Sequence, residues 1–402
     1  MTAQEPINKL MANRQSATTP INAPNNNANN PPTNNPSRVA AKVNHTPKKT
    51  ILSVDLGRTS TKTCVNRDPN KVVFIPANVK HLTMEQVRGG SFESSNTDPL
   101  MDLWIEYRGT GYALGQLAED FGANLGVGQS KVEDALAKVL ACAGYFSLKD
   151  DISIVLGLPY HSQEQFGREK EQMINLLTGS HKLQYRGEDL SLNITKVWVM
   201  PEGYGSLLWC EVNDTKLKTE KDTDLTKNSV AIVDIGHQTT DFLIVDSFRL
   251  ARGISQSQAF AMSQFYDSVA AEVKSATGVE TAHSQSLTLI SAVHKPKGSR
   301  LYRPKGAAKP CNLDDFLPNL KEQFSREICQ RLLDWLPERA AGGIVILTGG
   351  GGEFFWEDIE RLIKEAGNTP YLAKPSRQAN ALGQYIYGEV QVGTNPVRSA
   401  KA

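Results

Sequence analysis

Two short apolar runs that end alike constrain this chain more than anything else in it. ILSVDLG (Ile51–Gly57) and SVAIVDIG (Ser229–Gly236) are each closed by an acid, an apolar residue and a glycine. Their length and β-branched content read as buried strands. A polar cluster follows each: Gly57-Arg58-Thr59-Ser60-Thr61-Lys62 after the first, and Gly236-His237-Gln238-Thr239-Thr240-Asp241 after the second. Gly57 permits a tight reversal with the backbone close to a ligand, and Thr59, Ser60 and Thr61 supply donors for phosphate oxygens. Lys62 adds a cation placed to meet a β- or γ-phosphate. Taken singly, either motif also reads as an ordinary hairpin turn with an Asp in it.

Taken together, the two hairpins have a stronger logic. Facing each other across a cleft, with a phosphate chain between them, Asp55 and Asp234 would repel it. A hydrated Mg²⁺ turns that repulsion into attraction, because magnesium keeps its waters and meets carboxylates through them. No GxxxxGK[ST] occurs in the sequence, so this is not a Walker-type loop. A third strand, in GGIVILTGGGGEFF (Gly342–Phe355), runs into four glycines, Gly349 to Gly352, and then Glu353. Such a run is costly to order. It reads either as backbone brought close to a flat ligand such as a nucleotide base, or as a flexible connector.

Strands and helices alternate along the rest. Lys131–Phe146 spaces its apolar residues as an amphipathic helix does. DISIVLGLP is a buried-type strand, and REKEQMINLLTG a helix with Gly179 as its C-cap. ITKVWVMPEGYGSLLW reads strand, turn, helix, and a helix from Ala259 closes at Gly278. The segment His294–Pro310, with its lysines and arginines, reads as an exposed loop, either simply solvated or a surface for self-assembly. Two halves, each opened by an acid-tipped strand, predict an α/β protein of two related domains. Domain I is expected over 50–215 and domain II over 216–392, divided by the polar patch NDTKLKTEKDTDLTKN, with a flexible terminus at 393–402.

The first 49 residues differ. INAPNNNANNPPTNNP (Ile21–Pro36) has almost nothing to bury, so the tail is expected to be disordered. It is basic, and reads as a solvated tail or as an arm touching DNA or an acidic partner. Over the whole chain 44 Lys+Arg oppose 43 Asp+Glu, a formal charge of +1, which argues against electrostatic coating of nucleic acid or membrane. Neither sequence-specific DNA contact nor membrane association is expected. The 5 cysteines are scattered without a CxxC pair, fitting reduced thiols. No apolar run reaches the ~18 residues of a bilayer span, and the N-terminus lacks a secretion-type apolar stretch. A cytoplasmic protein is the expectation.

VDLGRTSTK, VLGLP, VMPEG, VDIGHQTTD, ILTGGGG and KPSRQANALG resemble the motifs of the actin/ribonuclease-H-like superfold, and within it those of the ParM-type plasmid-segregation actins. The resemblance covers about Ile51 to Val392. It implies two domains around a nucleotide cleft, with ATP and Mg²⁺ as ligands. Asp55 and Asp234 would hold Mg²⁺ through water, and Lys62 would bind the phosphates. Gly57, Arg58, Thr59, Ser60, Thr61, Gly236, His237, Gln238 and Thr239 would form the phosphate loops. Gly349, Gly350, Gly351 and Glu353 would form the adenosine loop. Glu202 takes the place of the acid that orients the attacking water, with Asp241 as a second catalytic acid. Gly157–Pro159 and Pro375–Gly383 correspond to the two connecting segments at the hinge. His237 and Gln238 depart from the small residues of most relatives: His237 either meets the γ-phosphate or faces solvent, and Arg58 likewise. Glu272 and Lys274 are proposed to contact the ribose.

The implied function is an ATPase that polymerises with itself, coupled through an adaptor protein to plasmid DNA. The alternative is an actin-fold switch or binding module that does not polymerise. Chaperones of this superfold carry a long C-terminal substrate domain, and its sugar kinases a sugar-binding domain and an Asp base, which the GLP and PEG motifs fit less well.

Overall fold

Alternation along two strands organises the whole molecule. The structure is a computed structural model that describes residues 50–89, 98–123, 131–213, 225, 228–282 and 285–393. The tail 1–49, most of the polar patch and the terminus 394–402 lie outside the described residues.

The first sheet is built from β1 (Thr50–Leu56), β2 (Ser60–Cys64), β3 (Val73–Pro76), β4 (Val79–Leu82), β5 (Leu103–Tyr107), β6 (Thr110–Leu114), β7 (Asp150–Leu158), β8 (Gly179–Tyr185) and β9 (Glu188–Pro201). Its order is β3-β2-β1-β7-β9-β8-β5-β6-β4. The second contains β10 (Ser229–Ile235), β11 (Thr240–Asp246), β12 (Arg249–Leu250), β13 (Gln256–Gln258), and, beyond a small ribbon of β14 (Leu301–Tyr302) with β15 (Cys311–Asn312), β16 (Ile344–Thr348) and β17 (Thr369–Leu372). Its order is β12-β11-β10-β16-β17, with β13 pairing to β11. Each half therefore opens with a three-strand meander and adds two parallel strands beside its first strand. The acid-tipped strands β1 and β10 occupy the same central place in the two halves.

Helices fill the space around the sheets. The longer ones are α1 (Ala135–Tyr145), α2 (Gln163–Leu177), α3 (Tyr204–Asn213), α4 (Met262–Thr277), α5 (Ser286–Val293), α6 (Leu317–Trp335), a short α7 (Gly349–Phe354), α8 (Trp356–Glu365) and α9 (Ala379–Gly393). Apolar residues of α1 and α2 pack on the outer face of the first sheet with Leu52, Val54 and Leu56. Those of α4, α6 and α8 pack on the outer face of the second with Ala231, Val233 and Ile235. Between the sheets lie α3 and α9, where Leu207, Leu208, Leu382 and Ile386 join Ile51 and Val155 of one sheet to Val230, Ile232 and Leu243 of the other. The result is five layers whose central one is shared by both sheets, so α9, late in the chain, returns to the first half. No helix among the described residues is long and apolar enough to cross a membrane.

Three local expectations change. Gly179 does not cap α2: the helix stops at Thr178 in an extended conformation, and Gly179 opens β8, a strand that with the first part of β9 forms a hairpin. The basic segment after His294 is not a plain loop. It forms the β14–β15 ribbon, buries Tyr302, and ties Arg300 to Asp314 at 3.1 Å. The four glycines after β16 are not a connector either, since they are the first turns of α7.

Helices α3 and α9 cross with their backbones in contact. A Cβ on Gly383 would stand 1.7 Å from the Gly205 carbonyl oxygen, and one on Gly205 would stand 2.5 Å from the Asn380 carbonyl oxygen. Close-packed cores do not yield to such an insertion without backbone shifts. Gly383→Ala is expected to lower unfolding free energy by about 1–3 kcal/mol. By contrast Gly167→Ala, in the exposed interior of α2 with open space around it, is expected to raise it by about 0.5–1 kcal/mol. Denaturant unfolding of both variants checks the pair.

Candidate functional site

Strand parity aims the acids. In β1, Ile51 enters the central layer while Leu52, Val54 and Leu56 face outward, so Ser53 and Asp55 share the central face. In β10, Val230 and Ile232 face the centre and Val233 and Ile235 face away, which turns Asp234 inward too. Both acids stand at C-terminal strand ends, on the wall of one cleft of about 470 Å³. Sheets of parallel strands place ligand crevices at such ends.

Nearly all sequence-predicted residues converge there. Asp55, Gly57, Arg58, Thr59, Ser60 and Lys62 line the cleft from the first half, together with Glu202. Asp234, Gly236, His237, Gln238, Thr239 and Asp241 line it from the second, with Gly349, Gly350, Gly351 and Glu353. Thr61 does not: it lies in β2 between Ser60 and Lys62, and alternation turns it to the opposite face, where it is buried. Glu272 and Lys274 do not either. They sit on the exposed side of α4, Lys274 pairing with Glu280 at 3.5 Å. It is Met262 and Tyr266, one turn apart near the start of the helix, that face the cleft.

The two hairpins differ in charge. Across the first, Asp55 is paired in register with Lys62, and their side chains form an ion pair at 3.2 Å. Across the second, Asp234 stands opposite Asp241, and like charges so placed oppose each other. Burial, then the charges of Glu202 and Asp55, push the Asp234 carboxyl up to about 7. Burial, then Glu202 and Asp234, hold Asp241 well above the usual carboxylate range. Asp241 accepts from the Tyr160 amide at 3.4 Å and the Thr239 hydroxyl at 3.2 Å.

A relay of buried hydrogen bonds fixes Asp234. Asn380 Nδ2, on α9, donates to Asp234 Oδ2 at 2.6 Å. Its Oδ1 accepts from the Gly203 amide at 3.1 Å and the Ser206 hydroxyl at 3.0 Å, at the start of α3. Ser206 Oγ lies 2.7 Å from Thr348 Oγ1 at the end of β16, and Ser376 Oγ donates to the Gly349 carbonyl at 2.8 Å. The glycines of α7 pack on this tip. A Cβ on Gly349, which has φ +80°, would stand 2.4 Å from Asp234 Oδ1, and one on Gly351 would stand 2.3 Å from Ile235 Cγ2. Gly350 meets only Arg377 at 4.0 Å and is open to the cleft.

One wall is aromatic. His237 lies 5.9 Å from Tyr266, the Tyr266 hydroxyl hydrogen-bonds His294 Nε2 at 2.7 Å, and His294 lies 5.0 Å from Phe354. His237 therefore faces the cleft rather than solvent, and burial lowers its pKa. Sequence reasoning misses Tyr266, His294 as a wall residue, Lys131 and Asn380. Asn380 lies inside a hinge motif of the sequence, but nothing local shows that its side chain reaches an acid of the other lobe.

The opposed acids have a measurable consequence. Folding raises Asp234 from the ordinary range to about 7, so between those values the folded state holds more protons than the unfolded one. Magnesium-free protein should then lose stability as pH rises through that window. Asp241→Asn removes one of the two charges and is expected to raise the melting temperature more at about pH 8 than at about pH 5. Calorimetry in chelator at both values checks this.

Family models match the chain twice in series: "Actin like proteins N terminal domain" over residues 53–205, and "Archaeal actin homologue MreB-like, C-terminal" over 232–361. No curated protein matches the sequence. Among solved structures, the archaeal actin homologue Ta0583 in complex with ADP superposes with a TM-score of 0.64 at 17% identity, covering 85% of this chain and 99% of that one. The actin-like protein Alp7A gives 0.65 at 17%, covering 85% and 97%. A 15-stranded ParM filament from Clostridium botulinum gives 0.63 at 19%, covering 85% and 99%. At these identities the superpositions establish the fold, and the two models, laid end to end over its two halves, establish the kinship: the chain belongs to the actin-like proteins.

Proposed function

We propose that this protein is an ATPase that binds Mg-ATP between its two lobes and polymerises with itself. The observation that carries the reading is the convergence of Asp55 and Asp234, from opposite lobes, on one cleft. The residues fit a magnesium-bound triphosphate. Ser60 Oγ is buried at the first hairpin with no hydrogen-bond partner among the described residues. Gly57 is demanded by the tightness of that hairpin, since a Cβ there would stand 2.4 Å from the Ser60 carbonyl oxygen and 2.6 Å from Lys62 Nζ. The opposed Asp234 and Asp241 carboxyls hold each other's pKa up, and a cation bound beside them would relieve that repulsion.

Asp55 and Asp234 would hold a hydrated Mg²⁺, which would supply positive charge to the phosphate oxygens. The backbone turns at Gly57 and Gly236 and the hydroxyls of Thr59, Ser60 and Thr239 cradle the phosphates, with Lys62 and Arg58 as cations and Gln238 beside them. The aromatic wall and the α7 glycines, with Glu353, take the nucleoside. Glu202 holds a water in line with the γ-phosphorus, with Asp241 beside it. Positioning of this kind, more than a special pKa, drives phosphoryl transfer.

A nucleotide gripped by both lobes favours a closed form. Closed subunits adding head to tail make a contact that does not close on itself, which repeats as a helical filament. Loss of the γ-phosphate removes part of the bridge and loosens the contacts. A solved ParM relative is a filament and the solved Ta0583 relative holds ADP, which supports both halves of the proposal. By the same analogy the filament works in the cytoplasm and moves plasmid DNA through an adaptor protein.

Light scattering and electron microscopy of purified protein test it. Filaments are expected with Mg-ATP. Glu202→Ala is expected to slow phosphate release by about 100-fold and to lengthen filament lifetime. ATP hydrolysis without assembly over a wide concentration range would instead support a non-polymerising switch.

A further inference from the structure

Glu202 does not stand free in the cleft. Its Oε1 is ion-paired with Nζ of Lys131, and each side chain is only 9% exposed. Neither residue belongs to a phosphate hairpin: Glu202 follows β9, and Lys131 lies just before α1. Both line the cleft. The charge of Lys131 also acts on Asp241 of the second lobe, opposing the rise in that carboxyl's pKa. On its own side it has cationic company. Lys138, on α1, is half-buried, and after burial itself the charges of Arg58 and Lys131 help to depress its pKa, offset in part by Asp134. The Glu202 carboxylate thus holds Lys131 directly, and its charge also acts on Arg58.

Such an arrangement has a consequence for a water-positioning role. A carboxylate clamped by an ammonium has one oxygen committed, and parting a buried pair of this kind is costly unless a second anion takes the ammonium. The γ-phosphate of a triphosphate is an anion delivered to this end of the cleft; a diphosphate brings none there. We propose that Lys131 is a γ-phosphate sensor: it clamps Glu202 in the empty and ADP-bound cleft, and moves to the γ-phosphate when ATP binds, releasing Glu202 to hold the attacking water. The proposal rests on the nucleotide reading above and adds to it the device that makes the hydrolytic arrangement wait for a triphosphate. No bond is made or broken in the exchange. The ammonium trades one oxygen anion for another, and the carboxylate trades the ammonium for a water.

Equilibrium binding of ADP and of an ATP analogue with a non-hydrolysable β–γ bridge, both with magnesium, tests it. Lys131→Met is expected to weaken the analogue by at least about tenfold, the scale of one charge-assisted hydrogen bond, while ADP affinity stays within about twofold. Lys131→Arg should keep most of the preference for the analogue. Because the methionine variant leaves a buried carboxylate unpaired, the Lys131→Met/Glu202→Gln double variant carries the test if the single one does not fold. It should show the same selective weakening, since both variants remove the ammonium that meets the phosphate. Equal weakening of both nucleotides, or a double variant with wild-type discrimination, would show Lys131 to be only a structural partner of Glu202 and overturn the proposal. Wild-type protein that binds neither nucleotide would overturn the nucleotide reading itself, and the sensor with it.

Discussion

The hydrogen bond from Asn380 to Asp234 joins the parts of this molecule that matter most to each other. Asp234 sits at the tip of the central strand of one sheet, opposite Asp241 and out of water. Asn380 belongs to the helix that, with α3, fills the space between the sheets. One amide therefore satisfies a buried acid of the cleft and the amide and hydroxyl groups at the start of α3 at once. A buried amide can do this only if all its partners are in place, and a partly satisfied network would cost more than an apolar core. The cleft and the layer about which the lobes are joined are consequently a single polar unit.

Charge is distributed unevenly around that unit. The first hairpin neutralises its own acid with Lys62, whereas the second sets acid against acid. Without a ligand the second hairpin is frustrated, and its two carboxyls are held above their ordinary range by burial and by their neighbours. In the proposed function a cation between the lobes would relieve that repulsion, so that ligand binding and the approach of the lobes would favour each other. The Lys131–Glu202 pair adds a further compensated charge on the first lobe, on the wall of the same cleft.

Much of the fold and most of the site are legible in the sequence because strand parity and glycine turns are local. The acid-tipped strands, the alternation of elements and the identity of the cleft-lining loops all follow from residues within a few positions of each other. What is not legible depends on long-range neighbours. Gly179 looks like a helix cap because nothing local says that β8 begins there. Thr61 looks like a phosphate ligand because a run of three hydroxyls hides which of them a strand turns away. The four glycines look like a flexible run or a ligand contact, yet two of them are demanded by the packing of α7 against Asp234 and Ile235. Glu272 and Lys274 fail on helical phase, and Lys131 carries no motif at all, being brought to Glu202 by packing across 71 positions of sequence.

In the proposed function two acid-tipped hairpins, one from each lobe, grip a single magnesium nucleotide, and the nucleotide-dependent behaviour follows from that grip. Calorimetric titration of Mg-ATP into wild-type protein, Asp55→Ala and Asp234→Ala is the sharpest probe of it. One site per chain is expected in the wild type, with loss of that site, or of its magnesium dependence, in either single variant, because neither lobe suffices alone. Wild-type affinity with intact magnesium dependence in both variants would contradict the shared grip.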